Sequence, residues 1–427
     1  MSTQQVPENL EQKRWWIAVA AVIMQLCLGT VYAWSVFKNP LKNMFGWQEV
    51  PIQLTFTIIM VVIATSAAFG GILVDKYGPR KVATLGGILF GIGTLVAGLS
   101  AQIGNIWLLY LGFGVIAGIG NGFGYVTPIA TLIRWFPDKR GLVTGLAVMG
   151  FGAGAVFMGQ LAPIMINKFD VKDAAGKITE TGVGMTWYIW GVIFLILVVL
   201  AAQMFKNPPK GWMPKGFVPK AGSASSAAES FNMSEAIRTP AWWMLWAMLG
   251  LNISAGLGLL SQLSPMAQRL MTDSSAAEKA ILAGTVVAIA SIFNGLGRLF
   301  WAWLSDLIGR KNVFIAMFAS QALVYALLPT INSHFGSIAI LTIIASYLLA
   351  CYGGGFATMP AFAADAFGPA NIGRVYGTML TAWGVAGVIG PMAFAALGAD
   401  QALYTASGLL ILGLIVTLIY KRPTAKA

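Results

Sequence analysis

The stretch AILAGTVVAIASIFNGLGRLFWAWLSDLIG, residues 280–309, decides what kind of molecule this is. From about Ala280 to Leu304 it is apolar apart from small hydroxyls, Asn294 and one full charge, Arg298. About twenty consecutive apolar residues suffice to carry a helix across the hydrocarbon core of a bilayer, so a membrane span is predicted. Arg298 lies roughly six residues, about 9 Å of helix, inside the end marked by Ser305 and Asp306. That is too deep for the side chain to be assumed to reach the interface, and a guanidinium at depth costs roughly 2.5–3.5 kcal/mol on insertion scales. Such a charge should face a protein-lined cavity and have a partner. The partner expected here is the substrate, an organic anion.

Composition extends this reading to the whole chain. Of 427 residues, 57% are hydrophobic and 10% charged, with a mean hydropathy of +0.75. Soluble domains carry about 25% charged residues. A formal charge of +12 could suit a nucleic-acid binder, but the basic residues cluster in short loops between apolar runs. That pattern reports membrane topology, and no nucleic-acid partner is expected. Cys27 and Cys351 fall within apolar runs without metal-ligand spacing, so no disulfide framework, metal or other cofactor is expected. The leading segment MSTQQVPENLEQKRWW is polar and has no cleavable signal pattern.

Twelve spans are predicted, helical because lipid forces the backbone to satisfy its own hydrogen bonds. They run roughly over 15–37, 52–74, 82–101, 106–133, 141–166 and 185–205, then 241–263, 280–304, 313–331, 336–361, 376–398 and 402–420. The fold class is all-α integral membrane, with twelve transmembrane helices in two six-helix bundles. Residues 1–205 form the first bundle and 239–427 the second. Between them KNPPKGWMPKGFVPKAGSASSAAESFNMSEAIRTP (206–240) has the Pro, Lys, Ser and Ala content of a solvated linker, placed at 206–238. A short amphipathic helix is expected around Met233 to Arg238. With the N-terminus inside, 19 of the 27 basic residues are cytoplasmic. Seven are outside, Lys38 and Lys42 among them, and Arg298 is within the membrane. The bias predicts a multi-pass cell-membrane protein, in a bacterium the inner membrane, with both termini cytoplasmic. All 15 acids, Glu49 included, are placed outside the hydrocarbon, and the single histidine, His334, in a short outer loop. Transporters of organic cations, and those with a carboxylate proton relay, usually need an intramembrane acid.

An internal repeat supports two bundles. VDKYGPRKV (74–82) is echoed by SDLIGRKNV (305–313), and NGFGYVTPIA (121–130) by YGGGFATMPA (352–361). In the first pair Asp75 and Gly78 correspond to Asp306 and Gly309, and a base follows each glycine, Arg80 in one loop and Arg310 in the other. Glycine permits the tight turn, while the acid and bases can tie helix ends together. Packing and gating, without substrate contact, is the role expected of these loops. The glycines of 112–124 and 150–159 lie inside apolar helices without the strand or Lys-Ser/Thr of a phosphate-cradling loop, and read instead as surfaces on which helices approach and slide. Gly390-Pro391 is a candidate kink.

The repeated loops, the six-plus-six layout and the basic central linker look like the major facilitator superfamily. GTVYAWSVFKNPLKNMFG (29–46), RWFPDKRG (134–141), AIRTPAWWMLW (236–246) and FNGLGRLFW (293–301) resemble the oxalate/formate antiporter family, which is close to the monocarboxylate transporters. The resemblance implies a central site between the bundles, alternating access, a small carboxylate substrate and a monomer. It also implies that Arg298 binds the substrate carboxylate. Many monocarboxylate–proton symporters carry Asp where Asn294 stands here, which puts a proton-relay role at that position in doubt. Aligning YGTMLTAWGVAG (376–387) with the family puts Trp383 where the oxalate exchanger has a second cation. One fixed cation matches a monoanion better than a dianion, which favours lactate or pyruvate over oxalate.

Asn294 and Arg298 stand one turn apart on one helix face. The competing readings are that Arg298 donates to neighbouring backbone carbonyls and that Asn294 joins helices by a hydrogen bond. Tyr32, Tyr125 and Tyr352 lie within spans and away from the interfaces where tyrosines concentrate, and a phenol can hydrogen-bond a carboxylate. Phe356 and Trp383 would supply an apolar wall, although any one of these aromatics alone is more often core packing. The function expected is secondary active transport of small monocarboxylates, proton-coupled, with anion exchange as the alternative and a transport-dead carboxylate sensor as a third. An intramembrane hydrolase would need a nucleophile–base set or metal ligands at depth, which the sequence lacks, so no enzyme is expected.

Overall fold

The computed structural model describes residues 8–136, 140–209, 213–214, 231–271, 274–368 and 372–423. Twelve helices in it are long and apolar enough to cross a membrane. The first six are α1 (Leu10–Phe45), α2 (Glu49–Val74), α3 (Pro79–Ile103), α4 (Ile106–Leu132), α5 (Gly145–Phe169) and α6 (Val183–Gln203). The second six are α7 (Pro240–Arg269), α8 (Ala276–Ile308), α9 (Arg310–Ile331), α10 (Ile338–Phe367), α11 (Arg374–Ala396) and α12 (Ala399–Ile419). They form two bundles of six, which meet along α2–α11, α5–α8 and α1–α7. An even number of alternating helices puts the start of α1 and the end of α12 at one end of the molecule, called here the terminal end. The other is the far end.

Local chemistry sets where the helices start and stop. Asn105 caps α4 by accepting from the Trp107 and Leu108 amides, and Ser275 with Glu278 forms a reciprocal capping box on α8. Pro79 and Pro240 open α3 and α7, where a missing N–H costs nothing. The repeated loops carry the same unusual backbone: Gly78 has φ 86° and ψ 157°, Gly309 φ 87° and ψ 149°. That region is open essentially to glycine alone. Arg310 pairs with Asp306 (2.5 Å) and with Asp365 at the end of α10 (3.3 Å), so the second loop ties three helices of its bundle at the terminal end. In the first loop Arg80 is exposed, and the side chain of Asp75 lies outside the described residues.

Most of the 206–238 linker lies outside the described residues. Its final part contains a one-turn helix, Met233–Ala236, with an Asn232–Glu235 capping box.

One expectation is corrected. The first span does not end at 37: α1 runs 36 residues, and Lys38 is only 1% exposed within it. In the eleventh span Gly390-Pro391 lies inside the helix Thr381–Ala396, and a separate interruption falls at Leu380.

Candidate substrate site

Helix α8 continues to Ile308, beyond the predicted end at 304, so Arg298 lies about ten residues, or about 15 Å, from its end. Its side chain is 2% exposed. Among the described residues no carboxylate pairs with it, and its Nε and Nη1 have no hydrogen-bond partner. One turn earlier Asn294 is fully buried, and both ends of its amide are likewise unpartnered. Neighbouring helices thus leave the Asn294 amide and two of the three guanidinium nitrogens without a hydrogen bond.

Aromatic rings surround the pair. The guanidinium carbon lies 5.2 Å from the centre of the Phe356 ring, a cation–π distance. The phenols of Tyr32 and Tyr125 are within electrostatic range of the guanidinium. Tyr32 Oη and Tyr352 Oη lie 2.8 Å apart, one hydroxyl donating to the other across the bundle interface. Trp383 stacks edge-on against Tyr125 (5.5 Å between centroids) and Phe356 (5.2 Å), and its indole N–H is buried without a partner. All seven residues singled out from sequence thus meet at one place. Close backbone approach makes this geometry available: a Cβ on Gly353 would stand 2.6 Å from Asn294 Oδ1 and 3.0 Å from Arg298 Cγ.

Three further residues belong to the cluster. Phe151 on α5 packs edge-on against Tyr32 (5.2 Å) and Tyr125 (5.0 Å) and lies 6.2 Å from Trp383. Gly152 beside it leaves room for Arg298, since a Cβ there would stand 2.9 Å from Nε. Tyr376 on α11 places its hydroxyl 3.5 Å from the Phe356 carbonyl, which Pro360 deprives of its helical donor. The helices bend where they touch the cluster. Tyr32 sits in a 3₁₀ turn, Thr30–Ala33; α5 is interrupted between Gly152 and Ala155; α11 is interrupted at Leu380. Broken helices at a central site are a recurring device of transporters.

At the far end the interface is closed by polar side chains. Lys38 of α1 is paired with Glu49 of α2, whose other oxygen lies 3.2 Å from Lys42 Nζ. From the opposite bundle Gln262 Nε2 donates to the same carboxylate at 2.9 Å, and Asn39 Nδ2 donates to Gln268 Oε1 at 2.8 Å. A cleft of about 190 Å³ opens beside this latch, lined by Lys42, Glu49, Gln262 and Arg269 among others.

A buried cation with two unpartnered nitrogens, between two six-helix halves and beside broken helices, can accept an anion. The sequence pattern of the Major Facilitator Superfamily matches residues 17–391 and again 263–427. The chain belongs to that superfamily. Within it, the oxalate:formate antiporter of Oxalobacter formigenes is 32% identical over 382 residues, 88% of this chain and 83% of the antiporter. Apicoplast pyruvate carrier 1 of Toxoplasma gondii is 25% identical over 86% of this chain and 81% of the carrier, and mouse monocarboxylate transporter 1 is 32% identical over 39% and 33%. A solved bacterial homologue of the human lysosomal transporter Spinster, inward-facing and occupied, superimposes with a TM-score of 0.70 at 15% identity, covering 95% of this chain and 96% of that one. That likeness concerns the fold. By family this chain is a member of the Major Facilitator Superfamily with its fullest likeness among these three to the oxalate:formate antiporter.

Proposed function

We propose that the protein is a secondary active transporter of small monocarboxylates, of the L-lactate type, working by alternating access. The observation that carries this is Arg298, buried with two unpartnered nitrogens beside an amide unpartnered at both ends. A buried charge left unpaired is strongly unfavourable, so a site built this way is completed by its ligand. The guanidinium fork matches a carboxylate. The free donors, which include the Trp383 indole N–H, call for an anion. Asn294 also offers an acceptor whichever way its amide is turned. A 2-hydroxy acid satisfies both, its carboxylate accepting from Arg298 and its hydroxyl donating to Asn294. A 2-oxo acid or an unsubstituted acid leaves that acceptor bare. Phe356, Trp383, Tyr125 and Phe151 leave apolar contact for a short carbon tail.

In this reading residues 1–205 and 239–427 rock against each other, joined by 206–238, with the terminal end cytoplasmic. Carboxylate binding neutralises Arg298 and lowers the cost of occluding it, and the Lys38–Glu49–Gln262 latch marks a state closed to the outside. Coupling to a proton would make the step electroneutral, the proton travelling with substrate and water. Anion exchange is the second reading, favoured by the likeness to the oxalate:formate antiporter over most of both chains.

Proteoliposomes loaded with or without internal carboxylates test both. Labelled L-lactate uptake driven by an inward proton gradient alone supports symport. Uptake only against an internal anion supports exchange, and no uptake of any short monocarboxylate refutes the proposal.

A further inference from the structure

A side-chain amide grips Tyr352 from behind. Asn252 on α7 is fully buried, and its Nδ2 lies 3.4 Å from each of the Cys351 and Tyr352 carbonyls. Its Oδ1 accepts from Gln321 Nε2 of α9 at 3.0 Å. The approach depends on α10 having no side chain at Gly355, where a Cβ would stand 2.3 Å from Asn252 Nδ2. One turn along α7, a Cβ on Gly256 would stand 2.3 Å from Cδ2 of the Tyr352 ring. Helix α7 therefore holds both the backbone and the ring of Tyr352. The other bundle repeats the device. Gln25 on α1, also fully buried, donates from Nε2 to the Tyr125 carbonyl on α4 at 3.1 Å, leaving its own Oε1 unpartnered. The first and fourth helices of each bundle are thus joined by an amide on the carbonyl of a tyrosine at the site.

Burying an amide costs free energy unless its hydrogen bonds are made, and an apolar residue would pack these helices without that cost. A helical carbonyl is also already served by its own helix. We infer that Asn252 and Gln25 are positioning residues, which fix the depth of Tyr352 and Tyr125 and so set the Tyr32–Tyr352 contact and the polar wall of the site. The inference rests on the carboxylate reading only for its effect on transport.

The test uses Asn252→Leu and Gly355→Ala, which break the α7–α10 brace from opposite sides, in the full-length purified protein. Each should raise the KM for L-lactate about tenfold, the worth of roughly one hydrogen bond, with Vmax within about twofold. The double variant should be no worse than either alone, because both remove the same contact. A ¹⁹F spectrum of protein carrying 3-fluorotyrosine, with the Tyr352 line assigned by Tyr352→Phe, reads the ring without any transport. That line should move to the same new position in both variants. An unmoved line, or additive effects on KM, overturns the inference. A moved line in a protein that takes up no carboxylate leaves the brace standing and refutes the function instead.

Discussion

Replacing Gln262 by leucine removes the donor that binds Glu49 from the opposite bundle and leaves the Lys38–Glu49 pair within its own bundle untouched. The lost bond is 2.9 Å long, made to a carboxylate, by a side chain 7% exposed. Hydrogen bonds to charged groups are worth about 1.5–3 kcal/mol net. Glu49 keeps Lys38 and Lys42, so the lower end applies, about 1.5–2 kcal/mol. All of it falls on conformers closed at the far end, because an open conformer has already separated Gln262 from Glu49. The ratio of open to closed should therefore shift roughly ten- to thirtyfold. The readout is the rate at which a membrane-impermeant maleimide labels Met266→Cys, which lines the adjoining cleft. It is made in a background where the buried Cys27 and Cys351 are alanine. Labelling from the far face should quicken about tenfold or more in Gln262→Leu. A rate within twofold of the parent would refute the latch as a determinant of the equilibrium.

Asn294→Leu should flatten selectivity: the preference for L-lactate over propionate, measured as a ratio of inhibition constants, should fall by about tenfold while propionate itself changes little. Trp383→Lys adds a second cation to the site and should improve inhibition by oxalate relative to L-lactate; an unchanged ratio counts against the one-cation argument. Gly152→Ala pushes a methyl to 2.9 Å from Arg298 Nε and should raise the KM for every carboxylate alike, as transport assays across a substrate series would show. Gly309→Ala places a side chain at φ 87° and should lower the thermal midpoint in detergent, at a cost of about 1–3 kcal/mol.

Much of this was legible because membrane sequences state their spans openly. Twelve apolar runs gave twelve helices, and the duplicated D-x-x-G loops returned nearly identical glycine torsions. Arg298 stood out because its insertion cost has no nearby repayment, and the aromatic residues around it came from position within spans combined with family likeness. What was missed was missed for physical reasons. Lys38 ended an apolar run and so looked like a solvated helix end, but its charge is met by Glu49 from the next helix, a contact no linear pattern encodes. Phe151 and Gly152 lie in a glycine-rich stretch that reads as a generic sliding surface, and only the packed partner shows that one glycine makes room for a guanidinium. The break in α11 at Leu380 stands at neither a glycine nor a proline, so no local signal marks it. The polar braces Gln25 and Asn252 look in sequence like ordinary span polars.

The central claim is that Arg298 is the residue that meets the carboxylate. Calorimetric titration of L-lactate into purified wild type and Arg298→Gln, both with matched thermal midpoints, tests it most directly. Saturable binding in the wild type and its loss in the variant is the predicted result. Binding of equal affinity in both would contradict it.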